Sequence, residues 1–522
     1  MTETQNVQVN LECILSKFSV YRLYYLKLFA LLIFSGVTNA FYSVNYVFAA
    51  GDTVYSCKYS ECDDSFVQSN HLSNLNRCHK YDFLHNSTTC SILNSSANQY
   101  TYCDEWIYNE NKSFVEDFNL ACQDWKRTLV GTVHSFGYMI GLLLTGPLAD
   151  KFGRKKLLIF SGITAASMGL GRSITTSYWI YIALELVEAL FGDTYSTTFM
   201  LGVEMVTKED RVAFVTAMTA GTSIAGVVTA VTAWSLPYWR HFLRAIYGPA
   251  LLFICYIFLL DESVRWLLIK GNLIGEALSV LKKAAKMSQI TIDDSDLKNI
   301  DCEKLPSNTK FVSLIAMTIT SKTLLMRFLA CVLMWITGIF NKYALLINSV
   351  ELEGDKYLNF GLATLSELPA SLVLAYLLKR FKRRAPLIGS FVLTGLFCVG
   401  QAFVPRGNPW LSISLYLAGK FMATISYATV YLYTSELFPT YTRNTMHALC
   451  SSLGRVASIL APQTPLLTVY WSGLPSVIVG GLSLLTGMVI ILMPDTAEDA
   501  LPDTVIEAEA IGKGQAGDVT KL

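Results

Sequence analysis

Apolar runs long enough to cross a bilayer recur along this chain, separated by short charged or turn-rich breaks. A crossing takes about 20 residues, and runs of that order lie at 24–50, 127–149, 157–172, 178–206, 212–234, 241–260, 324–349, 358–378, 386–404, 411–435, 445–470 and 473–493. The pattern predicts an all-α membrane protein of twelve transmembrane helices in two six-helix bundles, 24–260 and 324–493. Outside them fall an N-terminal segment 1–23, a Cys-rich loop 51–126, a linker loop 261–323 and a tail 494–522. Within the linker, Gly275-Glu-Ala-Leu-Ser-Val-Leu-Lys-Lys-Ala-Ala-Lys286 has helical amphipathic spacing and is expected to lie as a solvated helix at the membrane surface.

Polar residues interrupt the apolar runs selectively. In the fourth run, Tyr181, Glu185, Glu188, Gly192, Tyr195 and Phe199 recur at steps of three and four, one stripe of a 3.6-residue helix. In the tenth, Lys420, Thr424, Tyr427 and Tyr431 share a face. Ionisable residues inside a bilayer are expensive and face protein or water, so both stripes are expected to line a central cavity. Aromatic rings among charges suit an organic ion. Lys342, Glu367 and Arg455 add charges in the seventh, eighth and eleventh runs, and Asp193 one in the fourth. Glu367 and Lys420 could neutralise each other, and Asn39 could bond a neighbouring helix as readily as a ligand. Arg455 lies near the midplane, where a guanidinium matches a carboxylate in bidentate geometry.

The charged breaks are written twice. Glu204-Met-Val-Thr-Lys-Glu-Asp-Arg211 returns as Glu436-Leu-Phe-Pro-Thr-Tyr-Thr-Arg443, 232 residues on, with the Glu-to-Arg spacing kept. Gly146-Pro-Leu-Ala-Asp-Lys-Phe-Gly-Arg-Lys155 has a degraded copy in Ala375-Tyr-Leu-Leu-Lys-Arg-Phe-Lys-Arg-Arg384, and Asp261-Glu-Ser263 one in Pro494-Asp-Thr496. A half-length repeat in an apolar chain points to two bundles moving around a central site. One charge cluster is expected per bundle: Asp150, Arg154, Glu204, Arg211 and Glu262 beside Gly153 in the first, Arg383, Glu436, Arg443 and Asp495 in the second. These clusters are expected to close one side of the protein in one state and to break when that side opens.

Composition agrees. Hydrophobic residues make up 52% and charged residues 16%, against roughly 25% charged in soluble domains, and mean hydropathy is +0.40. Short-loop cations concentrate beside the repeated motifs, so the positive-inside rule puts that side, both termini and the linker in the cytoplasm. The loop 51–126 then faces outside. It holds Cys57, Cys62, Cys78, Cys90, Cys103 and Cys122 with glycosylation sequons at Asn86, Asn94 and Asn111, the signature of an oxidised, glycosylated ectodomain. The spacing does not choose among the possible cysteine pairings. No phosphate-binding Gly-rich loop suggests an ATP-driven pump and no hydrolytic constellation an enzyme; no cofactor, nucleic acid or obligate protein partner is called for. A receptor whose loop binds a partner remains the rival class.

At these residues the chain resembles a known family. The Gly146–Lys155 segment is similar to the loop signature of the major facilitator superfamily. Asp117-Phe-Asn-Leu-Ala-Cys122, Asp261-Glu-Ser-Val-Arg-Trp-Leu267, Glu436–Asn444 and Leu501-Pro-Asp-Thr504, in that order, resemble the organic cation/anion/carnitine transporter family of solute carriers, nearest its carnitine branch. The resemblance implies a plasma-membrane secondary transporter of small organic ions, zwitterions such as carnitine-like compounds or organic anions, by alternating access; an organic cation carrier is the alternative within the family. It marks Asn39, Tyr195, Tyr431 and Arg455 as cavity positions, to which the charge pattern adds Glu188, Lys342, Lys420 and Tyr427. Where polyspecific cation carriers place an aspartate, this chain has Arg455. Thr194, Lys342, Asp261 and Val264 depart from the carnitine pattern, and the coupling ion, sodium or proton, stays open.

Overall fold

The computed structural model describes residues 9–10, 23–58, 78–81, 83–86, 89–92, 100–108, 112–206, 210–269, 273–290, 300–301, 321–405, 407–438, 440–496 and 505–511. The first six spans are helices at Leu23–Val44, Asp124–Phe152, Arg154–Arg172, Tyr178–Phe191 continued by Tyr195–Met205, Arg211–Ser235, and Trp239–Tyr247 running on as far as Leu259. The second six are Lys322–Ile347, Lys356–Leu365 continued by Glu367–Arg380, Arg384–Ala402, Pro409–Leu437, Thr440–Leu460 and Leu474–Ile491. Among the described residues, eight helices are long and apolar enough to cross a membrane by length and composition. The third, fourth, tenth and eleventh spans stay below that threshold because they carry charged ends, a break, or runs of Ser, Thr and Tyr.

Several breaks have local causes. The sixth span turns into a 3₁₀ segment, Gly248–Cys255, at Pro249, and the eleventh into Ala461–Val469, which contains Pro462 and Pro465; proline removes a donor and crowds the preceding turn. In the fourth span Asp193 ends one helix and starts the next, its Oδ1 accepting from the backbone N–H groups of Tyr195 (3.1 Å) and Ser196 (3.3 Å). An Asp that satisfies the first amides of a helix is a start signal, and here it interrupts an otherwise continuous stripe.

The bundles meet along two seams, the second span against the eleventh and the fifth against the eighth. Close approach is built with glycine: a Cβ on Gly131 would sit 2.8 Å from Pro462, and one on Gly226 2.5 Å from Thr364. Near the Cys-rich loop, Thr128 donates to Gln463 (3.0 Å), Gln463 donates to Thr132 (2.5 Å), and the Phe48 ring packs on Tyr357 and Phe360 at 5.5 and 4.9 Å. The ring and hydrogen-bond contacts between bundles run from this loop side down to Tyr138 and Arg455.

The loop itself carries three antiparallel strand pairs, Tyr55–Cys57 with Trp106–Tyr108, His79–Tyr81 with Tyr100–Tyr102, and Phe83–Asn86 with Thr89–Ile92. Disulfides join Cys57 to Cys103 and Cys78 to Cys122. Cys62, Asn94 and Asn111 lie outside the described residues, as do the side chains of Cys90 and Asn86. On the opposite, linker side, Ile274–Ser288 forms the expected amphipathic helix. It buries Ala277, Leu281, Ala284 and Ala285 against Val264–Ile269 and the first span, so its apolar face is taken up by protein. The tail helix Val505–Ala510 packs on the start of the seventh span, where Arg327 donates to the carbonyls of Ala508 and Ile511.

Candidate functional site

The second bundle lines its inner face with cations and rings. The tenth span brings Lys420, fully buried, 2.9 Å from Glu367 of the eighth and 3.2 Å from the Lys342 carbonyl. Lys420 is therefore neutralised within the protein, the buried pair that the sequence left open, and it is not a free anchor in the cavity. Lys342 itself makes no ion pair among the described residues and holds its ammonium 4.9 Å above the Tyr427 ring. Arg455 is brought to this level because Gly454 lets the eleventh span close on the seventh; a Cβ there would meet Trp335 and Ile339 at 3.0 Å. Its guanidinium lies 5.3 Å from the Tyr138 ring and 3.4 Å from the Tyr343 hydroxyl, and its Nε finds no hydrogen-bond partner.

Towards the linker side an aromatic wall continues from this point. Trp335, fixed by a 3.0 Å bond from its Nε1 to Thr434, contacts Tyr431 (4.9 Å), His447 (5.2 Å) and Tyr427 (6.0 Å). Tyr431 is 49% exposed and so faces open space. Tyr195 opens the second half of the fourth span, close enough to Lys342, Tyr427 and Arg455 for their charges to reach its hydroxyl. Asp193 is buried within range of Arg455, yet makes no ion pair with it, and its Oδ2 is without a partner. Asn39 is buried in the first span, where its backbone carbonyl accepts from the Ser43 hydroxyl at 3.0 Å.

The carboxylate stripe of the fourth span does not line this cavity. Glu188, expected to contact a ligand, is 2% exposed and is held by Arg172 and by the Tyr247 hydroxyl at 2.6 Å. Glu185 is fully buried between Arg172 and His134, whose Nδ1 is 2.8 Å away. The cause is the break at Asp193. A 3.6-residue stripe carries across a helix only while the helix is continuous, and after the break Tyr195 turns to the cavity while both glutamates face their own bundle. Arg172, the last residue of the third apolar run, is the fully buried end of the third span.

On the linker side the repeated motifs form the same object twice. Arg154 reaches Glu204 (2.9 Å), Asp150 (2.9 Å) and the Ala149 carbonyl (3.2 Å). Arg383 reaches Glu436 (3.1 Å) and the Leu378 carbonyl (3.1 Å), again five residues earlier. Glu262 accepts from the amides of Arg154 (2.9 Å) and Lys155 (3.0 Å), and Thr496 donates to Glu436 at 2.7 Å in the second copy. Gly153 has φ +97°, and a Cβ there would lie 2.4 Å from Glu262, so the turn needs glycine twice over. Arg211 has no ion-pair partner among the described residues, and the Arg443 side chain lies outside them; Asp495 is half-buried near Tyr433. Both clusters stand intact within single bundles while the loop side is closed. They clamp helices of one bundle together.

Residues 72–504 match the sugar (and other) transporter family. The chain belongs to this family. It is 30% identical over 523 residues to an organic cation transporter protein of Drosophila melanogaster, covering 94% of this chain and 93% of that one. It is 27% identical to solute carrier family 22 member 3 of Mus musculus over 94% of each, and 29% identical to organic cation/carnitine transporter 2 of Rattus norvegicus over 77% of this chain and 73% of the other. Among solved structures, the fold resembles a D-xylose–proton symporter (TM-score 0.58, 14% identity, 91% and 99% coverage) and a partially occluded inward-open xylose transporter of E. coli (0.60, 15%, 92% and 100%). The protein is thus a multi-pass membrane transporter of the major facilitator fold and not an enzyme. Relatives named for cations and for carnitine match at nearly equal identity, so overall identity does not assign a branch.

Around Arg455 and Tyr431 the structure gathers residues that the sequence did not single out: Tyr138, Tyr343, Trp335 and His447. His134 and Tyr138 are four apart, as are Trp335 and Ile339 beneath Gly454, so a helical-face count on the second and seventh spans could have found them. Arg172 gave no such signal, since a terminal arginine in an apolar helix reads as a loop cation. Taken together, the surplus is positive on the second bundle (Lys342, Lys420 and Arg455 against Glu367) and negative on the first (Glu185, Glu188 and Asp193 against Arg172).

Proposed function

We propose that this transporter carries small organic ions bearing a carboxylate, zwitterions ahead of simple cations, across the plasma membrane. The observation that carries the reading is Arg455: a guanidinium in a membrane-spanning segment whose contacts among the described residues are a ring and one long phenol bond, with no carboxylate of those residues within ion-pair distance. A ligand carboxylate supplies the missing bidentate partner, with Lys342 beside it. The ammonium end of a zwitterion then meets the Tyr195, Tyr427, Tyr431 and Trp335 wall, which stabilises cations through ring quadrupoles. The positive-inside rule supports placing the linker side and both termini in the cytoplasm and the Cys-rich loop outside, where its sequons are expected to carry glycans. Transport then alternates by rocking of the bundles about the Arg455 level.

Organic cation transport is the second reading, favoured by the unpartnered Asp193 Oδ2 and by relatives named for organic cations. Competition in proteoliposomes separates the two. A trimethylammonium carboxylate is expected to displace labelled substrate better than a dicarboxylate, and both better than a tetraalkylammonium ion. Uptake confined to the tetraalkylammonium ion would decide for the second reading.

A further inference from the structure

The first bundle encloses a titratable cluster that substrate binding does not use. Arg172 is fully buried, paired with both Glu185 and Glu188, and its guanidinium lies 5.3 Å from the Tyr181 ring and 5.2 Å from that of Tyr247. The Tyr247 hydroxyl bridges Arg172 and Glu188 at 2.6 Å to each, and also accepts from Asn45 at 2.9 Å. His134 closes the cluster on Glu185. One guanidinium faces two carboxylates, so with a neutral imidazole the cluster carries one uncompensated negative charge. In a membrane interior such a charge is strongly disfavoured, and one added proton removes it.

The position of His134 connects this proton to both the seam and the substrate site. Gly131, one turn away, packs on Tyr46 and Pro462 of the loop-side closure, and the Tyr46 ring is 5.9 Å from His134. One turn the other way, Tyr138 stacks 6.5 Å from His134 and holds the Arg455 guanidinium over its ring. The charged and titratable groups around the imidazole are therefore Glu185, Glu188, Arg172, Tyr46 and Tyr138, with Arg455 and Asp193 behind the last.

We propose that the His134–Glu185 pair binds one exchangeable proton and that the protein is a proton-coupled carrier. The inference rests on the reading of Arg455 as a carboxylate anchor. With His134 neutral, the net negative charge of the cluster is answered by the Arg455 guanidinium held over Tyr138, the ring next to His134; a substrate carboxylate that pairs with Arg455 takes up that cation locally, even when a zwitterion adds no net charge, and a proton on His134 then neutralises the cluster. Each ligand then favours the other through a reciprocal coupling. The N–H bond forms on the imidazole from loop-side solvent when that seam opens, with Nδ1 donating to Glu185, and breaks to the opposite side after the substrate leaves. No redox change is involved.

The test uses the full chain in proteoliposomes with a labelled trimethylammonium carboxylate. Exchange at equal pH measures transport itself; accumulation under an acid-outside gradient measures coupling. Wild type is expected to accumulate substrate several-fold under the gradient. Glu185→Gln, which balances the cluster without a proton, and His134→Asn, which keeps a donor near Nδ1 but cannot be protonated, are expected to exchange normally and to accumulate nothing. Entrapped pyranine gives a reading on wild type alone: substrate addition is expected to acidify the lumen. An exchange-competent wild type that ignores the gradient, or variants that both follow it, overturns the proposal while leaving the transport reading intact. A wild type that cannot exchange would sink both.

Discussion

On the proposed function, selectivity turns on Arg455, whose surroundings stabilise a cation poorly and a bound carboxylate well. Losing one charge-assisted contact amounts to about 1.5–3 kcal/mol, roughly ten- to a hundredfold in affinity. Arg455→Ala is expected to weaken uptake of carboxylate-bearing substrates by about that factor while leaving a tetraalkylammonium ion less affected. Arg455→Asp is expected to shift preference towards cations. Uptake of all three substrate types by wild type and both variants is the measurement, and equal losses for every substrate would return Arg455 to a purely structural role.

At the scale of elements, two kinds of charge cluster hold helices together. The buried one joins the second, third, fourth and sixth spans through Arg172. Removing a buried partner leaves uncompensated charge, which costs about 3–5 kcal/mol. Arg172→Ala is expected to lower the melting temperature in detergent sharply, and Arg172→Ala combined with Glu188→Gln to recover part of it; a single variant as stable as wild type would show that the cluster stabilises nothing. The linker-side clusters differ, since Asp150 and Glu204 are partly solvated. They tie the linker-side ends of helices within each bundle, so that each bundle is expected to move as a unit. Arg154→Ala and Arg383→Ala are each expected to lower maximal transport more than apparent affinity, at unchanged surface expression.

The whole molecule is closed on the loop side by contacts between bundles, with Thr128, Thr132 and Gln463 bridging the seam. A cleavable bifunctional thiol reagent applied to Thr128→Cys/Gln463→Cys is expected to arrest transport, and reductant to restore it, because alternation requires that seam to part. Either cysteine alone is expected to transport after the same treatment. Retained transport by the cross-linked pair would place the moving seam elsewhere.

Much of the architecture was legible along the chain, since crossing a bilayer demands about 20 apolar residues wherever a helix spans it, and a duplicated bundle repeats its turn chemistry. The twelve runs, the halfway repeat, the Arg154–Glu204 and Arg383–Glu436 spacings and Gly153 are all local patterns, readable without knowing what lies across from them. Partners of charges are not local. Whether Lys420 was free or neutralised depended on Glu367 of another helix, and whether Glu188 faced substrate or protein depended on the break that Asp193 makes and on Arg172 lying opposite. Periodicity tells which residues share a face of one helix; only packing decides what that face meets, and in a medium that leaves no buried charge unanswered, that meeting separates a structural pair from the cation left for a ligand.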